Sequence, residues 1–218
     1  MTTIGDVLPL LGLRISAGPI ELRGIGDEDL VTLGALAVCG VHDPGRMPFT
    51  YPWTDADPSE LPLRFAQYHW RTRADFGPDE WVLNLGVWHE GSLVGVQGLN
   101  TRKYLVTRSG ETGSWLGLEH QGRGFGTAMR QVMCAFVFDH LDAVEITSGA
   151  FTDNPSSLGV SRKVGYRENG VVRRERRPGE VATTTELLLR PGDLVRGEHP
   201  LEVSGLDAFR RSIGLDSD

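Results

Sequence analysis

Cysteine is scarce in this chain, with Cys39 and Cys134 the only two in 218 residues, and their separation matches no metal-ligand spacing. The six histidines add no His-x-x-His pair, so no metal site is expected. Both cysteines fall in apolar helical patterns and read as buried thiols of a reducing cytoplasm. Basic residues are outnumbered, 22 Lys and Arg against 29 Asp and Glu, for a net charge of −7. That balance disfavours nucleic acid as a partner and suits cationic ones such as amines. No stretch approaches the ~18 apolar residues of a membrane span, and the opening Met1-Thr2-Thr3-Ile4-Gly5-Asp6 lacks the basic and apolar regions of a signal peptide. A cytoplasmic protein with no membrane partner is expected. Repeats, low-complexity tracts and linkers are also missing. The chain therefore reads as one domain, 1–218, with an arm at 1–18, a core at about 20–190 and a tail at 191–218 that packs on the surface or on another subunit of a homo-oligomer.

Two familiar phosphate-binding patterns are absent as well. No Gly-Lys-Ser/Thr follows a glycine run, which excludes a P-loop, and a G-x-G-x-x-G starting at Gly122 fails at Thr127. What is present is Gln121-Gly122-Arg123-Gly124-Phe125-Gly126-Thr127, placed between a strand-like run and a helical pattern. Glycines permit φ > 0 and close approach of a ligand to the backbone. The amides that open a helix are unpaired and favour an anion. The stretch reads as a pyrophosphate cradle or, with no ligand, as a strand-to-helix turn.

The rest of the chain alternates in period. Leu10–Ile15 is expected to pair with Ile20–Ile25 across Ala17-Gly18-Pro19. A helix follows from the acidic run Asp27-Glu28-Asp29 to about Gly40, and a second starts with an Asp57-Pro58-Ser59-Glu60 cap, carries the stripe Leu61, Phe65, Tyr68 and ends near Ala74. Between them Phe49, Tyr51, Pro52 and Trp53 either pack on the surface or wall a pocket. Strands are expected at Trp81–Trp88, Ser92–Leu99, Glu111–Leu118, Ala143–Thr147, Tyr166–Arg174 and Ala182–Leu189. Helical periodicity joins Phe125, Met129, Val132, Met133 and Phe136, and Asn154-Pro155 opens a last helix that stops at Gly165. The order β-α-α-β-β-β-α-β-α-β-β implies an α/β (α+β) protein.

The spacing Gln121-x-x-Gly124-x-Gly126 resembles the coenzyme A signature of the GNAT N-acyltransferase superfamily. A second stretch, Asn154-Pro155-Ser156-Ser157-Leu158-Gly159-Val160-Ser161-Arg162-Lys163-Val164-Gly165-Tyr166, resembles the N-x-x-S-x-x-V-x-x-K-x-G-F/Y motif of its ribosomal-protein N-acetyltransferase-like branch. Within that branch the chain most resembles actinobacterial GNAT succinyltransferases, through Pro48-Phe49-Thr50-Tyr51-Pro52-Trp53 and Trp115-Leu116-Gly117-Leu118. The resemblance covers about Ile20 to Leu189 and implies the GNAT fold, a mixed central sheet with helices on both faces. It also implies acyl transfer from succinyl-CoA or acetyl-CoA to a primary amine on a protein or small molecule, by direct attack in a ternary complex.

By the same resemblance Gln121, Gly122, Arg123, Gly124, Phe125, Gly126 and Thr127 would bind the pyrophosphate, and Leu116, Gly117 and Leu118 would hold pantetheine and the oxyanion. Asn154 would cap its helix and touch the pantetheine arm. Ser157 would protonate the leaving thiolate, the alternative being an ordinary first-turn serine. A general base is needed as well. Glu111 and Glu119 are its candidates, each with a solvent-facing position as the alternative. Arg173-Arg174-Glu175-Arg176-Arg177 reads as a solvated hairpin end rather than an anion clamp, and Arg102, Lys103 and Tyr104 are available to a succinyl carboxylate. A non-catalytic acyl-CoA-binding or sensing module is the competing reading.

Overall fold

A computed structural model describes residues 2–216. The short helix α1 (Ile4–Val7) leads through a 3-10 turn at Pro9–Leu11 into strands β1 (Arg14–Ala17) and β2 (Ile20–Gly24), followed by helices α2 (Asp27–Cys39) and α3 (Leu61–Ala74). Next come the hairpin β3 (Glu80–His89) and β4 (Ser92–Arg102), the single turn α4 (Tyr104–Thr107) and β5 (Ser109–Leu116). Helix α5 (Phe125–His140), strand β6 (Glu145–Phe151) and helix α6 (Pro155–Val164) precede the hairpin β7 (Arg167–Arg177) and β8 (Glu180–Leu189). Strand β9 (Glu202–Ser204) and helix α7 (Leu206–Ser212) close the chain. The strands form one mixed sheet in the order β7-β8-β6-β5-β4-β3-β2-β1-β9, in which only β5 and β6 run parallel.

Helices cover both faces, as expected. On one side Leu30 and Leu33 of α2 and Phe65 of α3 pack against Leu93 and Val96 of β4. On the other, Met129, Met133, Phe136 and Val137 of α5 meet Leu83, Leu85, Val94 and Ile146 from the sheet, with Leu158 and Val164 of α6 beside them. The hairpin between β3 and β4 turns on Glu90 (φ 48°) and Gly91 (φ 80°), a pair of left-handed residues whose twist matches that of the strands.

Several sequence expectations shift. Leu10 and Leu11 lie in the 3-10 turn, so the first strand begins at Arg14. Asp57 does not cap α3. Its Oδ1 accepts from the Ser59 amide at 2.8 Å and from its hydroxyl at 2.6 Å, closing a separate turn, and the helix begins at Leu61. The buried stripe of α3 is Leu61, Phe65 and His69, while Tyr68 turns outward. Burial first, then the neighbouring Arg73 charge, push the His69 imidazole down to about 4, so it is neutral and stacks on Phe65 at 4.5 Å. Cys39 is exposed at the last residue of α2, where the apolar face has already turned away; Cys134 alone is buried. The fourth expected strand moves to Glu145–Phe151, because Ser148, Gly149 and Ala150 pair with β8 despite their weak strand propensity.

The chain ends also differ from an arm and a surface tail. Ile15 of β1 is fully buried, β9 pairs with β1 in antiparallel register, and α7 inserts Phe209 against Trp81 at a centroid distance of 5.8 Å. Truncating Phe209→Ala should cost about 3–5 kcal/mol. Urea denaturation should then show a lowered midpoint; a surface tail would leave it unmoved.

Candidate active site

The ladder between β5 and β6 is short. Ser109 to Thr112 pair with Glu145 to Ser148, and beyond Thr112 and Ser148 the two strands part. β5 continues along β4 to Leu116 and β6 continues along β8 to Phe151. The Gly117 amide donates to Val94 O on the β4 side at 3.0 Å. By antiparallel alternation the backbone groups of Ser114 and Leu116 therefore point the other way, into the opening. The bottom of the split is closed by Ser148 Oγ donating to Thr112 O at 3.1 Å.

Only part of Leu116–Leu118 is left for a ligand. The Gly117 amide is used by Val94, and the Leu118 amide donates to Gly40 O at 3.0 Å. Both residues have left the strand, Leu118 opening a 3-10 turn to His120. The Leu116 carbonyl is taken too, by the side chain of Gln121, whose Nε2 donates to it at 2.9 Å and to Val41 O at 2.6 Å. Gln121 thus fastens the turn to the end of α2 and to β5, with its side chain directed inward.

Past Gln121 the chain opens out. Gly122 (φ 72°) and Gly124 (φ 88°) are left-handed, and a Cβ on either would meet nothing within 4 Å. Among the described residues the amides of Gly122, Arg123 and Gly124 donate to no backbone carbonyl, and the first helical amides of α5 have no partner a turn earlier. The Thr127 amide is already bonded to Gly124 O at 3.1 Å. Phe125 is buried, its ring beneath His89 at 4.2 Å between centroids, with the Arg123 guanidinium over it at 5.0 Å. Gly126 lets α5 approach α6, since its Cβ would stand 3.4 Å from Val160. The result is an uncovered bowl of amides at the positive end of a 16-residue helix, the environment an anionic diphosphate requires.

On α6, Asn154 Oδ1 accepts from the Ser157 amide at 3.1 Å, so the cap forms as expected. Ser157 is half-buried, and its hydroxyl has no side-chain partner among the described residues.

The two candidate bases fare differently. Glu119 sits in the 3-10 turn with an exposed side chain, near only His120 at 3.5 Å. Glu111 stands on β5 at the last paired stretch before the split and floors a pocket of about 170 Å³ lined by Pro48, Thr50, Gly149, Phe151, Arg174 and Glu186. Its carboxylate still meets solvent, yet the crowded walls strip part of its hydration. That desolvation, then the like charge of Glu186, raise its pKa; Arg174 pulls the other way. Arg174 binds Glu186 Oε1 at 3.0 Å. Glu186 carried no sequence signal, because its strand reads as ordinary alternation.

The arginine cluster divides: Arg173, Arg174 and Glu175 are exposed, as expected of a solvated hairpin end, but Arg176 and Arg177 are not. Arg176 is nearly covered, grips both oxygens of Asp153 at 2.6 and 3.0 Å and lies over Phe151 at 4.2 Å. Arg177 grips both oxygens of Asp55 at 2.6 and 3.0 Å. Hydrogen bonding to these guanidinium groups holds both carboxyls below their usual range. The two forks tie the β7–β8 hairpin to the loop before α3 and to the loop before Asn154, framing the pocket. The aromatic loop divides as well: Trp53 packs 5.6 Å from Trp115, Tyr51 is exposed, and Pro48 and Thr50 reach the pocket. Arg102 and Lys103 are engaged by Glu80 and Asp79, and buried Tyr104 donates to Leu141 O, so none is directed at the pocket. Among the described residues no helix is long and apolar enough to cross a membrane, and no His/Cys/Asp/Glu group could hold a metal.

These features agree with what the chain is similar to. A family model, the acetyltransferase (GNAT) domain, matches residues 20–167. YdaF of Bacillus subtilis (strain 168), provisionally named a ribosomal N-acetyltransferase, is 29% identical over 91 residues, covering 42% of this chain and 49% of YdaF. The match thus spans about half the length of that relative. RimJ of Mycobacterium smegmatis, in complex with CoA-disulfide, superposes with a TM-score of 0.67 at 18% identity over 92% of each chain. RimL, a ribosomal L7/L12 α-N-protein acetyltransferase in complex with coenzyme A, gives 0.64 at 14% identity, over 80% of this chain and 95% of that one. The two structural likenesses concern the fold; with the matched family model, they make this chain a member of the GNAT acetyltransferase family.

Proposed function

We propose that the protein transfers an acyl group from a coenzyme A thioester to a primary amine, by direct attack within a ternary complex. The observation that carries the reading is the continuity of three features. An open amide bowl at Gly122–Gly126 leads to a split that exposes the Ser114 and Leu116 backbone, and the split adjoins a small pocket floored by Glu111. The bowl would hold the diphosphate and the split the pantetheine arm. The Leu116 amide, freed by the split, would face the oxygen that gains charge as the carbonyl is attacked. Glu111 is the base: partial desolvation by the pocket walls raises its pKa, in the direction a proton acceptor needs, and the ammonium must be neutral to attack. Ser157, at the N-terminus of α6, returns a proton to the sulfur, in a field that favours negative charge. Cys134 takes no acyl group, since burial pushes its thiol up to about 11.

Acetyl is the donor this reading favours. A succinyl carboxylate would have to take Arg174 from Glu186, and Arg102 and Lys103 are already paired. The acceptor is an amine presented at the acidic pocket, and a protein amine fits the naming of YdaF and RimL.

Incubation with acetyl-CoA or succinyl-CoA and a panel of peptide and small amines should release free thiol with acetyl-CoA preferred. Binding of the coenzyme without release, across the panel, would instead mark a sensing module. Gly124→Val should abolish coenzyme binding in calorimetry, because Val is strained at φ 88° and its side chain would fill the bowl. Ser157→Ala should lower kcat by roughly 10²-fold with little change in coenzyme affinity. Glu111→Gln should lower kcat/KM by a similar factor. Activity should rise with pH as Glu111 ionises. In Glu186→Gln the like charge is gone, so the acid limb should move to lower pH; an unmoved limb would remove Glu111 as the titrating base.

A further inference from the structure

Arg130 lies on α5 with only 4% of its surface exposed. A buried guanidinium ordinarily faces a carboxylate, because an unpaired interior charge is costly. Here its fork ends on two hydroxyls. Nη2 donates to Ser114 Oγ at 2.8 Å and Nη1 to Ser161 Oγ at 3.1 Å, while Nε is buried with no partner. Among the described residues no carboxylate pairs with it. Nearby groups do not neutralise it either: Tyr166 and Cys134, which share a 3.4 Å contact, are both held protonated by burial.

The location is informative. Ser114 is one of the two β5 residues whose backbone faces the split, and its side chain reaches down to Arg130 on the α5 side. Ser161 donates in turn to Ser157 O at 3.0 Å, within the turn that presents the Ser157 hydroxyl. The cation therefore sits under the opening, linked by one hydrogen bond to its β5 wall and by one to the α6 wall, where Ser161 passes the link on to Ser157. A positive charge kept unneutralised at that place lacks an anion, and the proposed reaction forms one there. As the amine nitrogen bonds to the carbonyl carbon and the C–S bond breaks, the electron pair stays on sulfur until a proton arrives.

We propose that Arg130 is the electrostatic floor of the split, stabilising the coenzyme A thiolate and holding the β5 and α6 walls at their spacing through Ser114 and Ser161. This rests on the acyltransferase reading. It makes Arg130 a positioning and field-setting residue that need not touch the sulfur.

The test is a titration of the thiol of coenzyme A bound to the intact protein, read by thiolate ultraviolet absorbance after binding has been measured by calorimetry. In the unsubstituted protein the bound thiol should ionise about one pH unit below free coenzyme A, a tenfold gain in thiolate. Arg130→Gln keeps polar contact with both serines but removes the charge, and should return the thiol to its free value while coenzyme A still binds. Arg130→Lys should keep most of the shift, and Ser161→Ala should keep it as well. A purely structural Arg130 predicts the same thiol ionisation in Arg130→Gln as in the unsubstituted protein, since the helix N-termini remain, and that result overturns the proposal while leaving the coenzyme site standing. Loss of coenzyme A binding in the unsubstituted protein would overturn both. If Arg130→Gln fails to fold, Arg130→Met, which removes the charge at similar volume, carries the same comparison, and the absence of any shift in the unsubstituted protein would by itself overturn the proposal.

Discussion

The structure depends on a place where two strands stop pairing. A sheet interior is stable because each backbone amide and carbonyl finds a partner, and β5 and β6 give this up after only four paired residues each. The neighbours compensate on the outer sides: β4 holds β5 to Leu116 and β8 holds β6 to Phe151. The inner edges are left facing one another with backbone donors unspent. Leaving them unpaired costs stability, and a ligand that runs between the strands can recover it. The same divergence makes room for the pocket, since Gly149 on β6 presents no side chain beside Glu111, whose Oε1 lies 3.9 Å from where a Cβ would be.

The surroundings keep the opening from collapsing or spreading. Gln121 fixes the end of β5 to the end of α2 with two hydrogen bonds from one amide nitrogen. Asn154 fixes the first turn of α6. The bidentate Arg176–Asp153 and Arg177–Asp55 pairs join three separate loops around the pocket mouth. Each exposed ion pair is weak by itself, but geometry rather than energy is the point: a planar fork on a carboxylate fixes direction as well as distance. Arg177 is the more exposed of the two, and the loop it holds carries Pro48 and Thr50 of the pocket wall.

Much of this was legible in the chain, for reasons that differ by residue. The glycine turn and the Asn154 cap are local: a few φ angles and one side-chain acceptor decide them, and both appear where the residues imply. The central hairpin is local for the same reason, its turn resting on Glu90 and Gly91. Features set by distant partners were not legible. Phe209 reads as one of several apolar residues scattered through the tail until β9 is seen to pair with β1. Arg176 and Arg177 look solvated beside Pro178-Gly179 because their aspartates lie 23 and 122 residues away. Arg130 was hidden by its neighbours: ten of the sixteen residues of α5 are buried, so a stripe drawn through Met129 and Met133 leaves Arg130 off the apolar face although the helix is covered almost all round. A charge inside so apolar a helix was the available signal. Gly117 and Leu118 show the reverse error, a strand extended two residues too far, which assigned free amides where Val94 and Gly40 already accept them.

The placement of charge gives the site a direction. Side chains alternate across the sheet, so Glu111 and Glu186 stand on the face covered by α2 and α3, whereas Ser114 Oγ and Arg130 lie on the face covered by α5 and α6. The split connects these faces. In the proposed reaction a proton leaving an incoming ammonium would move toward carboxylates, and electron density leaving the carbonyl would move toward a buried cation and two helix N-termini. Both displacements would run down the same field, set by groups that are in position before any substrate arrives, which is the condition under which electrostatic stabilisation needs no rearrangement at the moment of reaction. It also accounts for the pairing of Glu186 with Arg174. Two carboxylates alone on one small floor would repel one another; with Arg174 at 3.0 Å, Glu186 is partly offset, and in the proposed reaction Glu111 would be the carboxylate that accepts the proton of an amine.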